Sequence, residues 1–181
     1  RAKLSAFYSG DTYSCHEFAG SASSGKKADY IMQRVAECLS PSTPTTLLDY
    51  GAGGGGFLTY ARNRGWQVQG FEPGKRGLES CRSAGLEVTD KLTELPSGAF
   101  GLITLHAVFE HLANPTEVLD EIRRFLAPDG RLYIEVPNVR ALRARLAIPL
   151  LSRRFGVDER YRAYPIHLMY YSECTLRRML E

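Results

Sequence analysis

The amino-acid sequence predicts an α/β protein built on a doubly wound, mostly parallel β-sheet. Short apolar segments of strand character alternate with amphipathic helical segments, at spacings typical of βαβ units. A cluster of glycines, DYGAGGGGF, follows the first predicted strand, and an acidic residue, Glu72, ends the second. Because parallel strands need crossover connections of one hand, this alternation also predicts how the helices wind around the sheet.

The first half of the chain begins with an arm and a helix. Residues 1–25 are rich in Ser, Gly and aromatic residues without a clear period, which predicts an irregular arm. Apolar residues at helical spacing then predict a helix over 26–39, which the following prolines end. Two strand–helix pairs and a third strand follow; the predicted strands cover residues 46–50, 66–71 and 86–89. Gly65 and Gly85 are expected to end the two helices.

Two further strands and a helix complete the predicted sheet. Residues 100–105 form the fourth strand and residues 131–136 the fifth. Between them, Asn114-Pro115 opens a helix with one apolar face, and Pro128-Asp129-Gly130 predicts a turn. Ser172 is expected to cap a last helix.

These elements predict four segments. Residues 1–25 form the arm, and residues 26–137 form the ligand-binding core. Residues 138–165 carry seven arginines and two acidic residues and show no strand signal, which predicts a basic helical insertion. Residues 166–181 contain the last helix.

The glycine cluster predicts a ligand-binding loop at the carboxyl end of the first strand. Gly51, Gly53 and Gly56 fit the G-x-G-x-x-G pattern of dinucleotide-binding proteins. Gly51, Gly53 and Gly55 equally fit the G-x-G-x-G pattern of methyltransferases. The glycines therefore leave the choice between the two cofactors open.

Two acidic residues refine this prediction. Asp49 lies two residues before the first glycine, at the strand tip. There it would repel a pyrophosphate but attract the amino and sulfonium groups of S-adenosylmethionine (SAM). Glu72 suits two ribose hydroxyls, which either cofactor provides. Asp49 therefore favours SAM over a dinucleotide, whereas Glu72 indicates a nucleoside without distinguishing the two.

Composition and cysteine usage bear on location. The four cysteines are scattered and form no C-x-x-C pair, which is typical of reduced thiols in a cytosolic protein. No apolar run approaches the length of a membrane span. We therefore predict a cytoplasmic protein.

Four segments in order resemble the motifs of class I SAM-dependent methyltransferases: LLDYGAGGGGF, GFEPG, GLITLHAVFEHLANP and RRFLAPDGRLYIEVPN. The subgroup is broad and includes ubiquinone-biosynthesis O-methyltransferases and many sugar and natural-product enzymes. The resemblance is strong over residues 46–137 and weaker through HLMYYSECTLRRML. It implies a Rossmann-like sheet of strand order 3-2-1-4-5. The family's sixth and seventh strands would follow Glu181, so we expect the chain to be a fragment.

The resemblance also implies a role for particular residues. The loop from Asp49 to Gly55 would hold the methionine moiety of SAM, and Glu72 would hold the ribose. Leu92 would contact the adenine, and His106 would line the floor beneath the cofactor.

The catalytic candidates follow the fourth strand and the basic insertion. Methyl transfer requires alignment of the acceptor and, for some acceptors, a base that removes a proton. His106, His111 and His167, with Glu110, are the candidates, because imidazole titrates near neutral pH. We expect all of them to converge on one cleft.

A metal site is the alternative use of these residues. Small-RNA 2′-O-methyltransferases carry E-x-x-E-H at this place and a distant histidine, which together bind a divalent metal. Glu110, His111 and His167 resemble three of those ligands, but Ala107 stands where the first glutamate would be. The incomplete set predicts no metal.

The sequence thus predicts an enzyme that methylates a small-molecule acceptor and leaves open whether oxygen, nitrogen or carbon is methylated. The alternatives are a non-catalytic methyltransferase-like module and an RNA methyltransferase; an NAD-dependent oxidoreductase is the least favoured. Nucleic acid is not expected as a partner, since no RNA-binding module is recognisable. The arginines of residues 138–165 predict a lid over the acceptor site that favours an anionic acceptor or a membrane surface. The sequence carries no signal of oligomeric state.

Overall fold

The structure, a computed structural model, describes residues 22–138, Arg140 and residues 167–181. Most of the predicted arm and nearly all of the predicted basic insertion and lid lie outside these described residues. The chain forms two compact units. The sheet unit comprises Arg1–Leu105 and Glu121–Tyr133, and the histidine unit comprises His106–Asp120 and Ile134–Glu181.

The sheet has five strands in the predicted order β3-β2-β1-β4-β5. Strand β1 pairs in parallel with β2 and with β4, and β2 pairs in parallel with β3. The strands are β1 Thr46–Tyr50, β2 Gln67–Phe71, β3 Val88–Thr89, β4 Phe100–His106 and β5 Leu126–Glu135. The doubly wound, mostly parallel fold class is confirmed, and it brings the ends of β1 and β2 to the same edge of the sheet.

Five helices accompany the strands within the described residues. They are α1 Ala22–Ala36, α2 Gly56–Arg62, α3 Lys75–Ser83, α4 Pro115–Phe125 and α5 Glu173–Leu180. Pro115 opens α4, as the sequence predicts. Ser172 caps α5 as predicted, because its hydroxyl accepts the backbone N–H of Thr175 at 3.2 Å.

Helix α1 differs from its prediction at both ends. It begins at Ala22 and ends at Ala36, whereas the apolar spacing predicted 26–39. After it, the N–H of Cys38 donates to the carbonyl of Val35 at 2.9 Å, which forms a tighter turn. A second turn, in which Thr43 N–H donates to Ser40 O at 3.0 Å, follows. These local hydrogen bonds end the helix before Leu39.

The turn predicted at Pro128-Asp129-Gly130 is wrong, because these residues belong to β5. Contacts distant in sequence hold them. The hydroxyl of Ser42 donates to Asp129 Oδ2 at 3.0 Å. A Cβ on Gly130 would lie 2.8 Å from the carbonyl oxygen of Phe100, so the backbone passes close to β4. Tertiary contacts therefore override the local turn tendency of Pro-Asp-Gly.

The core of the sheet unit lies between β1, β4 and the helices that flank them. Strand β1 is buried from its second residue, and β4 is buried up to Leu105. The fully buried side chains include Leu47, Leu58 and Leu102. Such burial on both faces is typical of parallel sheets and fixes the strand ends from which the candidate site is built. In the described part of the chain, no helix is long and apolar enough to cross a membrane.

Candidate functional site

The loop after β1 turns on three glycines with positive φ. Gly51, Gly53 and Gly55 have φ angles of 85°, 54° and 79°, in a region that residues with a Cβ rarely adopt. Gly56 is instead the first residue of α2. The alternation of the three left-handed glycines matches G-x-G-x-G and favours that pattern over G-x-G-x-x-G.

Helix α3 and the residues after it press against this loop. A Cβ on Gly55 would lie 2.4 Å from Leu86 Cδ1 and 2.9 Å from Cys81 Sγ. A Cβ on Gly77 would lie 2.8 Å from the carbonyl oxygen of Gly53. The thiol of Cys81 donates to the same carbonyl oxygen at 3.3 Å. Packing therefore holds the path of the loop, in addition to the glycine dihedral angles.

Glu72 joins the end of β2 to the glycine loop. Its Oε2 accepts the backbone N–H of Gly53 at 2.7 Å, and its Oε1 accepts the N–H of Gly74 at 2.7 Å. The side chain is buried. Burial raises the pKa of Glu72, the two backbone hydrogen bonds lower it, and the nearby Asp49 carboxylate raises it further. The carboxylate therefore organises the loop, and its remaining lone pairs can accept further hydrogen bonds.

Asp49 lies buried near the end of β1, with 3% of its surface exposed. It stands opposite Thr104 in the β1–β4 register, and the Thr104 hydroxyl donates to Asp49 Oδ1 at 2.7 Å. This bond satisfies one lone pair of Oδ1 and orients the carboxylate. The pairing of β1 with β4 thus places a buried acidic group two residues before Gly51.

The loop with its two carboxylates suits a cationic ligand better than an anionic one. A pyrophosphate in the dinucleotide pattern binds to backbone N–H groups of the glycine loop. Here the N–H of Gly53 is already bonded to Glu72, and Asp49 adds negative charge nearby. A sulfonium or ammonium group would be attracted by both carboxylates. These residues therefore fit SAM, with Asp49 and the loop toward its methionine moiety and Glu72 toward its ribose.

Leu92 begins a short 3-10 helix, Leu92–Glu94, just after β3. The hydroxyl of Thr89 accepts the N–H of Lys91 at 3.0 Å and donates to Glu94 Oε2. Leu92 is half-buried. The hydrogen bonds hold the backbone around Leu92, whose adenine contact stays a prediction.

In the histidine unit, backbone bonds tie together segments that are distant in sequence. The N–H of Ala107 donates to the carbonyl oxygen of Glu135 at 3.0 Å. The carbonyl oxygen of Glu110 accepts the N–H groups of Leu168 and Met169 at 2.9 and 3.0 Å. Ala107 has a positive φ of 52°. This backbone conformation is energetically unfavourable for a residue with a Cβ. The chain therefore turns sharply directly after His106.

Glu110 is the most unusual group of this unit. It lies in a short 3-10 helix, Phe109–His111, and has 2% of its surface exposed. Neither of its carboxylate oxygens has a hydrogen-bond partner among the described residues. Burial, and to a smaller extent the charge of Glu135, raises the pKa of Glu110 to about 7. A proton or another cation on this carboxylate would relieve the cost of burying its charge.

His111 and His167 lie beside Glu110. Their ring centroids are 5.0 Å apart with the planes at 65°. One ligand atom from each of Glu110, His111 and His167 lies within 4.8 Å of the other two. Burial, and then the neighbouring His111, lowers the pKa of His167, so its ring is neutral near pH 7 and can accept a proton or bind a metal.

The structure thus forms two groups from the predicted site residues. The first consists of the glycine loop with Asp49 and Glu72, and the second of Glu110, His111 and His167. His106 belongs to the histidine unit, where its Nδ1 lies 3.8 Å from Glu135 Oε2. The cofactor and catalytic roles of all these residues stay predictions.

Two residues that contact the predicted site residues were missed in the sequence. Thr104, the partner of Asp49, sits in an otherwise apolar strand, and Glu135 interrupts the apolar run of β5. A polar residue inside an apolar strand was the signal that could have identified both. Tyr171 is buried and its ring lies 5.2 Å from that of Phe109, whereas Tyr170 is exposed.

The chain is similar to known methyltransferases in sequence. A family model described as a methyltransferase domain matches residues 24–181. The chain is similar to the ubiquinone biosynthesis O-methyltransferase of Vibrio cholerae, at 28% identity over 102 residues, which are 51% of this chain and 42% of that protein. It is also similar to the enzyme of that name from Xylella fastidiosa, at 28% identity over 123 residues, or 62% of this chain and 48% of that protein. The chain thus spans about half the length of these curated relatives.

A solved structure shares the fold. A SAM dependent methyltransferase from Archaeoglobus fulgidus superposes with a TM-score of 0.64 at 20% sequence identity, covering 90% of this chain and 68% of that one. At this sequence identity the similarity shows a shared fold. A shared methyltransferase fold is consistent with the five-stranded sheet described above.

Proposed function

Because the chain belongs to the methyltransferase-domain family, within the class I SAM-dependent methyltransferases, we propose that it is the catalytic domain of an enzyme that methylates a small molecule. SAM is the cofactor of this class, and it supplies a methyl group already activated on a sulfonium centre. The observation that carries the proposal is the loop that Glu72 holds through the Gly53 N–H, with the buried Asp49 beside it.

The residues of the sheet unit would bind and orient the cofactor. Asp49, held by the Thr104 hydroxyl, would attract the positive end of the methionine moiety. Glu72 already accepts two backbone N–H groups and would accept ribose hydroxyls with its remaining lone pairs. Because these carboxylates are positioned before the ligand arrives, little ordering is needed on binding.

Residues of the histidine unit would act on the acceptor. His106, His111 and His167, with Glu110, are proposed to take a proton from it. The lowered pKa of His167 supports this role, because a neutral imidazole is the form that accepts a proton. Such a base favours a hydroxyl acceptor, in keeping with the relatives that are named O-methyltransferases.

Calorimetry on the purified protein tests the cofactor. SAM and S-adenosylhomocysteine should each bind with a dissociation constant in the micromolar range, about −8 kcal/mol, whereas NAD should give no heat. Asp49→Asn keeps the shape of the side chain and removes its charge, and should weaken SAM more than it changes stability. A matched control is Asp120→Asn on α4. Tight NAD binding without a SAM signal would refute the proposal.

The nature of the acceptor is a finer proposal. The seven arginines of residues 138–165 support an anionic acceptor or contact with an anionic membrane surface, and the scattered cysteines without a C-x-x-C pair support a cytoplasmic location. Reversing Arg143, Arg153 and Arg154 to glutamate should raise the acceptor KM in a salt-dependent way while SAM affinity stays unchanged. The reversal of Arg177 and Arg178 on α5 is the control. If neither KM nor liposome binding responds, this finer proposal is wrong.

A further inference from the structure

A cluster of three potential ligands lies in the histidine unit. A carboxylate oxygen of Glu110 and one ring nitrogen each of His111 and His167 all lie within 4.8 Å of one another. The cluster joins two segments of chain that are far apart in sequence. The N–H groups of Leu168 and Met169, which both donate to the Glu110 carbonyl oxygen, hold the segment of His167 against the 3-10 helix of Glu110.

The burial of Glu110 is an independent indication of a ligand. With 2% of its surface exposed, this side chain has lost contact with water, and neither carboxylate oxygen has a hydrogen-bond partner in the described part of the chain. Its surroundings include the buried aromatic pair Phe109 and Tyr171. A buried carboxylate is stable when a cation or several donors compensate it.

We propose that Glu110, His111 and His167 bind a divalent transition-metal ion of the zinc class, with at least one coordination position left for a non-protein ligand. When the ion is bound, these three side chains hold it and take no proton from the acceptor, which leaves His106 as the candidate base. Two imidazoles and one carboxylate form a common ligand set of open zinc sites, in which three protein ligands suffice. Magnesium prefers oxygen ligands and retains its waters, so it fits this set less well. Ala107 stands where a fourth ligand would be, and for this reason the sequence predicted no metal. Because an open zinc site needs only three protein ligands, the alanine does not prevent zinc binding.

The spacing of the ligand atoms agrees with such an ion. Bonds of about 2.0–2.2 Å in tetrahedral geometry place ligand atoms about 3.3–3.6 Å apart. From separations of up to 4.8 Å, the side chains need to move inward by about 1 Å. Rotation of the half-buried rings of His111 and His167 can supply this movement, whereas the Glu110 backbone stays held by its two hydrogen bonds.

Metal titration of the chelator-treated protein tests the proposal without any methyl transfer. Zn²⁺ should bind at one equivalent by calorimetry and raise the midpoint of thermal unfolding, because it binds the folded state. Co²⁺ in its place should give the intense visible absorption of a four- or five-coordinate ion. Glu110→Gln, His111→Ala and His167→Ala should each weaken Zn²⁺ binding by more than about tenfold.

The controls separate this site from others. Cys38→Ser and Cys174→Ser remove exposed thiols that could bind zinc adventitiously, and they should leave the titration unchanged. Retained SAM binding shows that a ligand variant still folds, and Glu110→Gln changes the size of the side chain least. The proposal fails if no equivalent of Zn²⁺ or Co²⁺ binds, if the three ligand variants bind like the unmodified protein, or if Mg²⁺ is preferred to Zn²⁺. Since SAM binding is measured separately, its loss would count against the proposed function and leave the metal site standing.

Discussion

The backbone N–H of Gly53 donates to Glu72 Oε2 at 2.7 Å, and this bond joins the loop after β1 to the end of the neighbouring strand. The other oxygen of Glu72 accepts the N–H of Gly74, at the start of α3. One side chain thus holds two turns in place. The same carboxylate is the predicted ribose ligand, so loop order and cofactor affinity should depend on it together.

Replacing Glu72 by alanine should weaken SAM binding by about 2 kcal/mol, at about 1 kcal/mol for each lost hydrogen bond. Loss of the Gly53 bond should also loosen the loop. Isothermal calorimetry measures the affinity, and Glu79→Ala, at an exposed position of α3, is the control. An unchanged affinity would mean that Glu72 is not the ribose ligand.

The substitution Gly55→Ala should lower the free energy of unfolding by about 1–3 kcal/mol. The new Cβ would lie 2.4 Å from Leu86 Cδ1 on a residue whose φ is 79°. Chemical denaturation measures the change. Gly25→Ala is the matched control, because nothing lies within 4 Å of its Cβ and alanine favours the helix α1. Equal effects at the two positions would contradict the packing described for the loop.

The raised pKa of Glu110 predicts a pH-dependent stability. Between its ordinary value of 4.5 and about 7, the folded state holds a proton that the unfolded state has released. The contribution of Glu110 to stability is therefore full at low pH and is lost as the pH rises to about 7, by on the order of 3 kcal/mol. His167, whose pKa is lowered, acts in the opposite sense: it costs stability as the pH falls below its ordinary value of 6.5.

Other titratable groups face Glu110, namely His111, His167, Glu135 and Tyr171. The difference in unfolding free energy between the unmodified protein and Glu110→Gln separates the contribution of the Glu110 carboxyl group from theirs. Denaturation curves from pH 4.5 to 8 in the presence of a chelator supply the measurement. The glutamine variant should become relatively more stable as the pH rises. Parallel pH profiles for the two proteins would show that Glu110 ionises with an ordinary pKa.

Removal of the catalytic base should lower turnover without lowering SAM affinity. Among His106→Ala, His111→Ala and His167→Ala, at least one should lose about 10²–10⁴-fold in kcat, the usual contribution of general-base catalysis. Release of S-adenosylhomocysteine, with an acceptor found by screening hydroxyl compounds, measures turnover. His16→Ala, at the remaining histidine of the chain, is the control. Near-native turnover in all three variants would mean that alignment alone suffices.

Strand and helix positions in the sheet unit could largely be predicted from local sequence. Residues 46–50 form β1 as predicted, and Pro115 starts α4, because an apolar run and a proline act through the local backbone. The prediction was wrong at Asp129, where Ser42 and Thr43 hold the chain in β5. No local pattern records these partners, which lie more than 80 residues away.

In the predicted site, too, some features could be predicted from local sequence and others depend on contacts between distant segments. Asp49 and Glu72 could be identified because each stands at the end of a strand beside glycines, and parallel strands end at one edge of a sheet. Their partners, Thr104 and the Gly53 N–H, became evident from the strand register and the loop conformation. Register depends on how whole strands pack.

The sequence by itself determined the α/β class and the glycine and acidic residues of the loop, because these follow from periodicity, glycine dihedral freedom and charge. The strand order was implied by the resemblance to the methyltransferase motifs. Tertiary structure decided which of two glycine patterns is used, since the positive φ angles fall at Gly51, Gly53 and Gly55. It also decided that Glu110 is buried and lies beside His111 and His167. Burial depends on every segment that packs around a side chain, and one of those segments lies more than fifty residues further along the chain.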